Sequence, residues 1–258
     1  MDDFYKMLTY SSCAELENMI NEAAVLAAHA RREKIGTNDL AEAVLKSKYK
    51  NPNGAIVTVT EDLEKRAFHE AGHLVASEVL CPGSVGLASV RGYWHGVSSF
   101  RGGFVKPCKD LPEVYDNFIV CLAGKAATEL YCADTFTEGC KSDIGRACNR
   151  IRDLITENAF CGFGMVTFRH MDASENLSSR IETVTQALLE RYMAEARAIL
   201  IKHRCFLEKA AKELAEKGFL LSSDVQRIRE EAEGRSVQPG SVLTGEFLTQ
   251  GKNTVIPA

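Results

Sequence analysis

The spacing of apolar residues divides this chain into helical stretches around one short extended region. Between residues 12 and 33, Leu16, Met19, Ile20, Ala23, Ala24, Ala27 and Ala28 recur at the period that lines one face of a helix. Gly36 ends that pattern, and Thr37 is placed to cap a second helix running to about Leu45. Residues 48–59 read as a linker. From Thr60 to Leu80 a stronger helical segment follows: it lacks proline, Thr60 stands as its N-cap, and Glu61, Asp62 and Glu64 suit the dipole of its first turn. Cys81-Pro82-Gly83 stops it. Residues 84–107 change character, with Val85, Leu87 and Val90 followed by Gly92, Gly96, Gly102 and Gly103. They read as a small glycine-rich sheet with an edge strand around Val97–Phe100 or Gly103–Val105.

Helical patterns resume at 111–131, 143–160 and Glu175–Lys217, separated by a loop at 133–142, and Gly218 precedes a short helix capped near Ser223. The tail from Gly234, with Pro239, Gly240, Gly245 and Gly251, is expected to be mobile or extended. The predicted fold is mainly α with a small sheet, divided into a helical segment at 1–50, a linker at 51–59, a main domain at 60–233 and a tail at 234–258. Two N-terminal helices cannot bury much of a core alone, so they must pack on the rest of the chain or on a partner.

The densest chemical signal lies inside the Thr60–Leu80 helix, where residues 69–73 read His-Glu-Ala-Gly-His. His69 and His73 are one turn apart on one helical face, close enough to share a metal ion. Glu70 stands beside the first of them, where a carboxylate can take a proton from water activated by the metal. A catalytic zinc site usually has three protein ligands. The downstream candidates are Glu129, Asp143, Cys132, Cys140 and His95. Asp143 opens the predicted helix after the loop Thr137-Glu138-Gly139-Cys140-Lys141-Ser142, and a carboxylate there is easily aimed at a metal. Cys140 competes as a thiolate, and Glu129 is a candidate for holding a ligand imidazole from behind.

Composition narrows the partners. At 258 residues, 45% hydrophobic and 26% charged, the chain has ordinary globular composition. A net charge of -4 and the absence of any basic run argue against nucleic acid. No stretch approaches the roughly 20 apolar residues of a membrane span. The acidic start Met1-Asp2-Asp3 has no signal-peptide character. Nine cysteines without a C-x-x-C pair suit a reducing, cytoplasmic setting better than a disulfide framework.

Three motifs recur together in one known family. Phe68–Leu74, the run Leu122-Ala123-Gly124-Lys125-Ala126-Ala127-Thr128-Glu129-Leu130, and Thr137-Glu138-Gly139-x-x-Ser142-Asp143-Ile144 stand in the order and spacing of the FtsH family of ATP-dependent zinc metalloproteases. The resemblance covers roughly residues 60–232. It implies zinc held by His69, His73 and Asp143, with Glu70 as the base, acting on a polypeptide substrate in a hexameric peptidase ring or beside a partner ATPase. The run from Ala14 to Ala24 resembles the helical lid of an AAA+ module, which precedes the peptidase in that family. Cys13 stands where that lid usually has Gly, Ser142 where the family has Asn, and Thr128 where it has one acid of a Glu-Glu pair. No G-x-x-x-x-G-K-[ST] occurs, so no nucleotide-binding residues are expected, and neither a nucleotide-binding subdomain nor a membrane anchor is expected in this chain. The reading is an ATP-independent zinc endopeptidase; its rival is a non-catalytic assembly partner of full-length FtsH-like ATPase-proteases.

Overall fold

The computed structural model describes residues 2–47, 61–91, 93–94, 100–101, 103–132, 138–158 and 175–234. Three helices come first: α1 (Asp2–Leu8), α2 (Cys13–His29) and α3 (Thr37–Ser47). Then come α4 (Glu61–Leu80) and the strands β1 (Val85–Ser89), β2 (Tyr93–Trp94), β3 (Phe100–Arg101) and β4 (Phe104–Pro107). The chain continues through α5 (Val114–Cys132), α6 (Glu138–Asn158), α7 (Glu175–Lys202), α8 (Arg204–Lys217), β5 (Phe219–Leu221) and α9 (Ser222–Glu233). The fold is mainly α with a small antiparallel sheet, as the sequence pattern predicts.

Helix α4 is the centre of the packing. It contacts α5 and α8 most extensively, and also α7, β1 and β4. Ala67, Ala71, Leu74, Val75 and Ala76 are almost fully buried along it, so the segment reads as apolar on more than one side. At its end the Glu78 carboxylate accepts from the backbone N–H of Gly83 at 2.7 Å and of Val85 at 2.8 Å. Gly83 takes a positive φ of 73°, a conformation that costs glycine little. This turn launches β1 directly off the helix.

The three-stranded sheet has the order β4-β1-β5, both pairs antiparallel. Its two faces serve different cores. Ala88 opposes Val105 and Leu220, and these face the main core around α4. Leu87 opposes Leu221, and these two join Met7, Met19, Leu40, Ala41, Val44 and Leu45 in a second cluster built by the N-terminal helices. Gly86 is skipped in the register between Val85 and Leu87. This extra residue returns Val85 to the same face as Ala88, because strand parity changes by one at a bulge. It also admits α1, since a Cβ on Gly86 would stand 2.6 Å from the Lys6 carbonyl oxygen. Further contacts hold α1 down: Lys6 Nζ donates to Ser222 Oγ at 2.9 Å, Asp3 accepts from the Ser223 N–H at 2.8 Å, and buried Lys106 on β4 donates to the Met7 carbonyl.

Several boundaries differ from those expected. Helix α1 and strand β5 lack a sequence signal long enough to register. Helix α2 is closed at its start by a Ser12–Glu15 capping box and ends at His29, where Arg31 at φ 55° reverses the chain before Gly36 is reached. Thr37 is the first residue of α3 rather than its cap. Gly36 precedes the helix, and Asp39 in its first turn reaches back to accept from the Gly36 N–H at 2.8 Å while paired with Arg32. The stretch 175–217 breaks at His203 into α7 and α8. Gly218 closes α8 in the left-handed conformation, donating to Leu214. Strand β4 lies at the sheet edge, which supports the Gly103–Val105 alternative, whereas residues 97–99 lie outside those described. The linker at 48–59 and the tail beyond Gly234 also lie outside them.

The bulge yields a test of how the N-terminal helices are seated. Gly86→Ala is expected to cost about 1–3 kcal/mol, the range for overpacking a filled site. Faster amide exchange should appear in residues 2–8 ahead of α4. Unchanged exchange in that segment would show that α1 is held by its polar contacts alone.

Candidate metal centre

The buried face of α4 carries His69, Glu70 and His73, exposed by only 4%, 5% and 9%. These side chains meet α5 where two glycines remove bulk. A Cβ on Gly72 would lie 2.4 Å from the Ala123 carbonyl, and one on Gly124 would lie 2.4 Å from His73 Nε2 and 2.7 Å from His69 Cε1. The helices therefore approach closely enough for α5 backbone to form one wall around both imidazoles. Helix α6 supplies the third group: Asp143, 4% exposed, brings Oδ2 to 3.0 Å from His69 Nε2 and 3.1 Å from His73 Nε2. The two Nε2 atoms are 3.2 Å apart.

This triangle fits zinc. Metal–ligand distances near 2.0–2.1 Å place neighbouring donors of a tetrahedral site about 3.3 Å apart, close to all three separations. Two imidazoles and a carboxylate are also a donor set zinc accepts. Among the described residues, His69, His73 and Asp143 are the one group of three or more metal-capable side chains whose donor atoms cluster.

Each donor is oriented from behind. His73 Nδ1 lies 2.7 Å from the Val120 carbonyl on α5, so it donates there. His69 Nδ1 lies 3.7 Å from Cys140 Sγ. Arg146 grips Asp143 Oδ1 and leaves Oδ2 to face the histidines, while the Cys121 thiol donates to the Asp143 backbone carbonyl at 3.5 Å. Electrostatics follow the geometry. Burial opposes ionisation of Asp143, but hydrogen bonds from His69 and His73 outweigh it and hold the carboxyl far below the usual range. Burial likewise opposes charge on His69, yet Asp143, Cys140 and Glu70 carry its pKa up to about 10. Glu70 goes the other way: full burial pushes its carboxyl up, against the pull of the two histidines. Gly103, the residue just before β4, packs on it, since a Cβ there would stand 2.5 Å from Glu70 Cγ and 2.4 Å from the Ser89 carbonyl.

The structure brings His69, Glu70, His73 and Asp143 together and separates the other candidates. Asp143 does not open a helix. Helix α6 already begins at Glu138, so Asp143 lies in its second turn and is aimed by helix packing rather than by a loop. Glu129 does not sit behind an imidazole. It pairs with Lys125 and with Arg197 at 2.5 Å each, and these cations lower its pKa against a burial effect that would raise it. Cys140 meets the Nδ1 side of His69, away from the converging Nε2 atoms, so it is not placed as a ligand. Cys132 ends α5 beside Glu64 and Lys65, and His95 lies outside the described residues. The Val120 carbonyl, Gly103 and Arg146 were not foreseen. Gly124 was visible only as one of a run of small residues.

Residues 56–228 match the model of Peptidase family M41. The chain belongs to that family. Its relatives include proteins named ATP-dependent zinc metalloprotease FtsH. The one from Thermus thermophilus is 31% identical over 235 residues, covering 84% of this chain and 37% of the relative. That from Opitutus terrae is 31% identical over 245 residues, covering 91% and 38%. That from Streptobacillus moniliformis is 29% identical over 262 residues, covering 96% and 37%. The chain thus spans under two-fifths of the length of these relatives and corresponds to an FtsH-family peptidase domain.

The α4–α5 approach makes Gly124 a sharp probe. Gly124→Ala favours helix by about 1 kcal/mol, yet its methyl occupies the place of the two imidazoles. The purified variant should remain folded by circular dichroism and lose most of its zinc in an elemental assay. Full zinc content would refute the close approach.

Proposed function

We propose that this chain is a zinc-dependent endopeptidase that hydrolyses peptide bonds in unfolded or extended polypeptides. The observation that carries the reading is the convergence of His69 Nε2, His73 Nε2 and Asp143 Oδ2 to within 3.0–3.2 Å beside the buried Glu70. The M41 match and the zinc metalloprotease names of the relatives support the same chemistry. These three donors would hold the metal. When bound, zinc supplies a water acidified towards a pKa of about 7 and a Lewis acid for the scissile carbonyl. Glu70 would serve as the group that accepts a proton from the attacking water and returns it to the leaving amine. The Val120 carbonyl and Arg146 keep a ring and a carboxylate in register while this proton moves.

Strand β4 offers the means of substrate binding. It is a sheet edge that begins next to Gly103, and Gly103 touches Glu70. An extended peptide added to such an edge is held by its backbone, which positions many sequences with little selectivity. Substrates are therefore unfolded chains, cleaved without ATP by this chain. The N-terminal helices α2 and α3 we assign to an AAA+ lid, within the proposed division at 1–50, 51–59, 60–233 and 234–258. The chain is proposed to work as a hexamer or beside a partner ATPase, and only such an ATPase would feed folded substrates to the site. No described helix is long and apolar enough to cross a membrane. The nine cysteines, with no C-x-x-C pair among them, favour a reducing, cytoplasmic setting for the chain.

Zinc content and casein or peptide turnover, measured on wild type and Glu70→Gln, test this reading. Both proteins should hold stoichiometric zinc, with turnover in the variant lower by about 10²–10⁴-fold, the worth of a positioned general base. Full turnover in Glu70→Gln would remove Glu70 from its role. Zinc without turnover in either protein would favour the assembly-partner reading.

A further inference from the structure

Cys140 is almost completely buried, 2% exposed, and plays no part in the reaction described above. Its sulfur lies 3.7 Å from His69 Nδ1 and 4.0 Å from Thr128 Oγ1. The Thr128 hydroxyl in turn donates to the Gly124 carbonyl at 2.6 Å. These contacts order the protons. Because the hydroxyl hydrogen is committed to Gly124, Thr128 Oγ1 can only accept from Cys140, so the S–H points at Thr128. The sulfur lone pairs are then left for His69 Nδ1–H. Hydrogen bonds run in one direction from the imidazole through thiol and hydroxyl to a backbone carbonyl of α5. That carbonyl belongs to Gly124, the residue against which both rings pack.

We propose that Cys140 is a positioning residue: it accepts from His69 Nδ1–H and so holds the ring in the tautomer whose Nε2 lone pair faces His73 and Asp143. The inference rests on the metal-site reading. An imidazole that binds metal through Nε2 carries its proton on Nδ1, and the partner of that proton sets ring orientation and ligand basicity. His73 meets the requirement through the Val120 carbonyl on α5, one turn before Gly124. His69 has α6 on its outer side, and Cys140 is the α6 group that reaches its Nδ1. Helix α6 thus contributes twice, through Asp143 to the metal face and through Cys140 to the back of the first histidine. Thr128 acts one step further out, by fixing which way the thiol points.

The test uses the full chain loaded with zinc. Zinc dissociation constants are measured by chelator competition for wild type, Cys140→Ala and Thr128→Val, and the two histidine Nδ1–H protons are followed by proton–nitrogen NMR. Outer partners of metal-bound histidines are worth about 10–100-fold in affinity, and sulfur is a weak acceptor, so Cys140→Ala should weaken zinc binding by about 10-fold. Its His69 Nδ1–H should lose protection from solvent exchange while that of His73 keeps it. Thr128→Val should move both readouts the same way by less. Wild-type affinity with an unchanged His69 proton in Cys140→Ala overturns the inference and leaves the metal site standing. Equal loss of protection at both histidines also overturns it, because that marks general loosening. A wild type that takes up no zinc removes the metal site and this inference with it. If Cys140→Ala does not fold, Thr128→Val decides: unchanged affinity and an unchanged His69 proton there overturn the proposal.

Discussion

The close contact of α4 with α5 is the constraint on which the rest of this structure depends. Gly72 lets α4 lie against the Ala123 carbonyl, and Gly124 lets α5 lie against both imidazoles. Neither contact leaves room for a methyl group. The consequence reaches past packing. At this distance the α5 backbone becomes a hydrogen-bonding wall, and the Val120 carbonyl can receive the outer N–H of His73 directly. A wider separation would leave buried imidazole N–H groups facing apolar side chains, at a cost of a few kcal/mol each.

Four ionisable groups are buried here in a small volume, and the arrangement is tolerable because each has compensation. Asp143 divides its oxygens, one for Arg146 and one for the histidines. His69 is held between that carboxylate and the Cys140 thiol. Glu70 has the least compensation, and its carboxyl is accordingly pushed up while Asp143 is pulled down. Two carboxylates packed around the same histidines are thus driven apart in proton affinity by their surroundings. That difference separates a group suited to remain an anionic donor from one suited to exchange protons.

The sheet connects this centre to the N-terminal helices. Strand β1 lies between the two cores, and its bulge at Gly86 allows one strand to serve both. Strand β4 follows Gly103, which touches Glu70, and receives α1 through Lys106 further along. The Lys106 hydrogen bond to the Met7 carbonyl thus ties α1 to the edge strand that starts beside Glu70. The polar contacts of α1 with Ser222 and Ser223 extend the same clamp to the start of α9.

Much was legible in the sequence because it depends on short-range periodicity. The course of α4, the shared face of His69 and His73, the small-residue run of α5 and the glycine stop at Gly218 all follow from spacing along one chain segment. The mainly α fold follows from the same patterns. Residue spacing left the third donor open among five candidates, and resemblance alone selected Asp143. The structure brings Asp143 to the histidines and places Cys140 behind one of them, because both lie on α6 and the packing of that helix fixes which way each points. Glu129 failed as an outer partner for the same kind of reason: on the surface of α5 it found Lys125 and Arg197 first. Local sequence determined which segments are helices and which residues carry chemistry. Only the tertiary structure decided which side chains meet: the contact of His73 with the Val120 carbonyl, 47 positions away, depends on how closely α4 and α5 approach, a distance set by the absence of two methyl groups, and the packing of α6 then brings in Asp143.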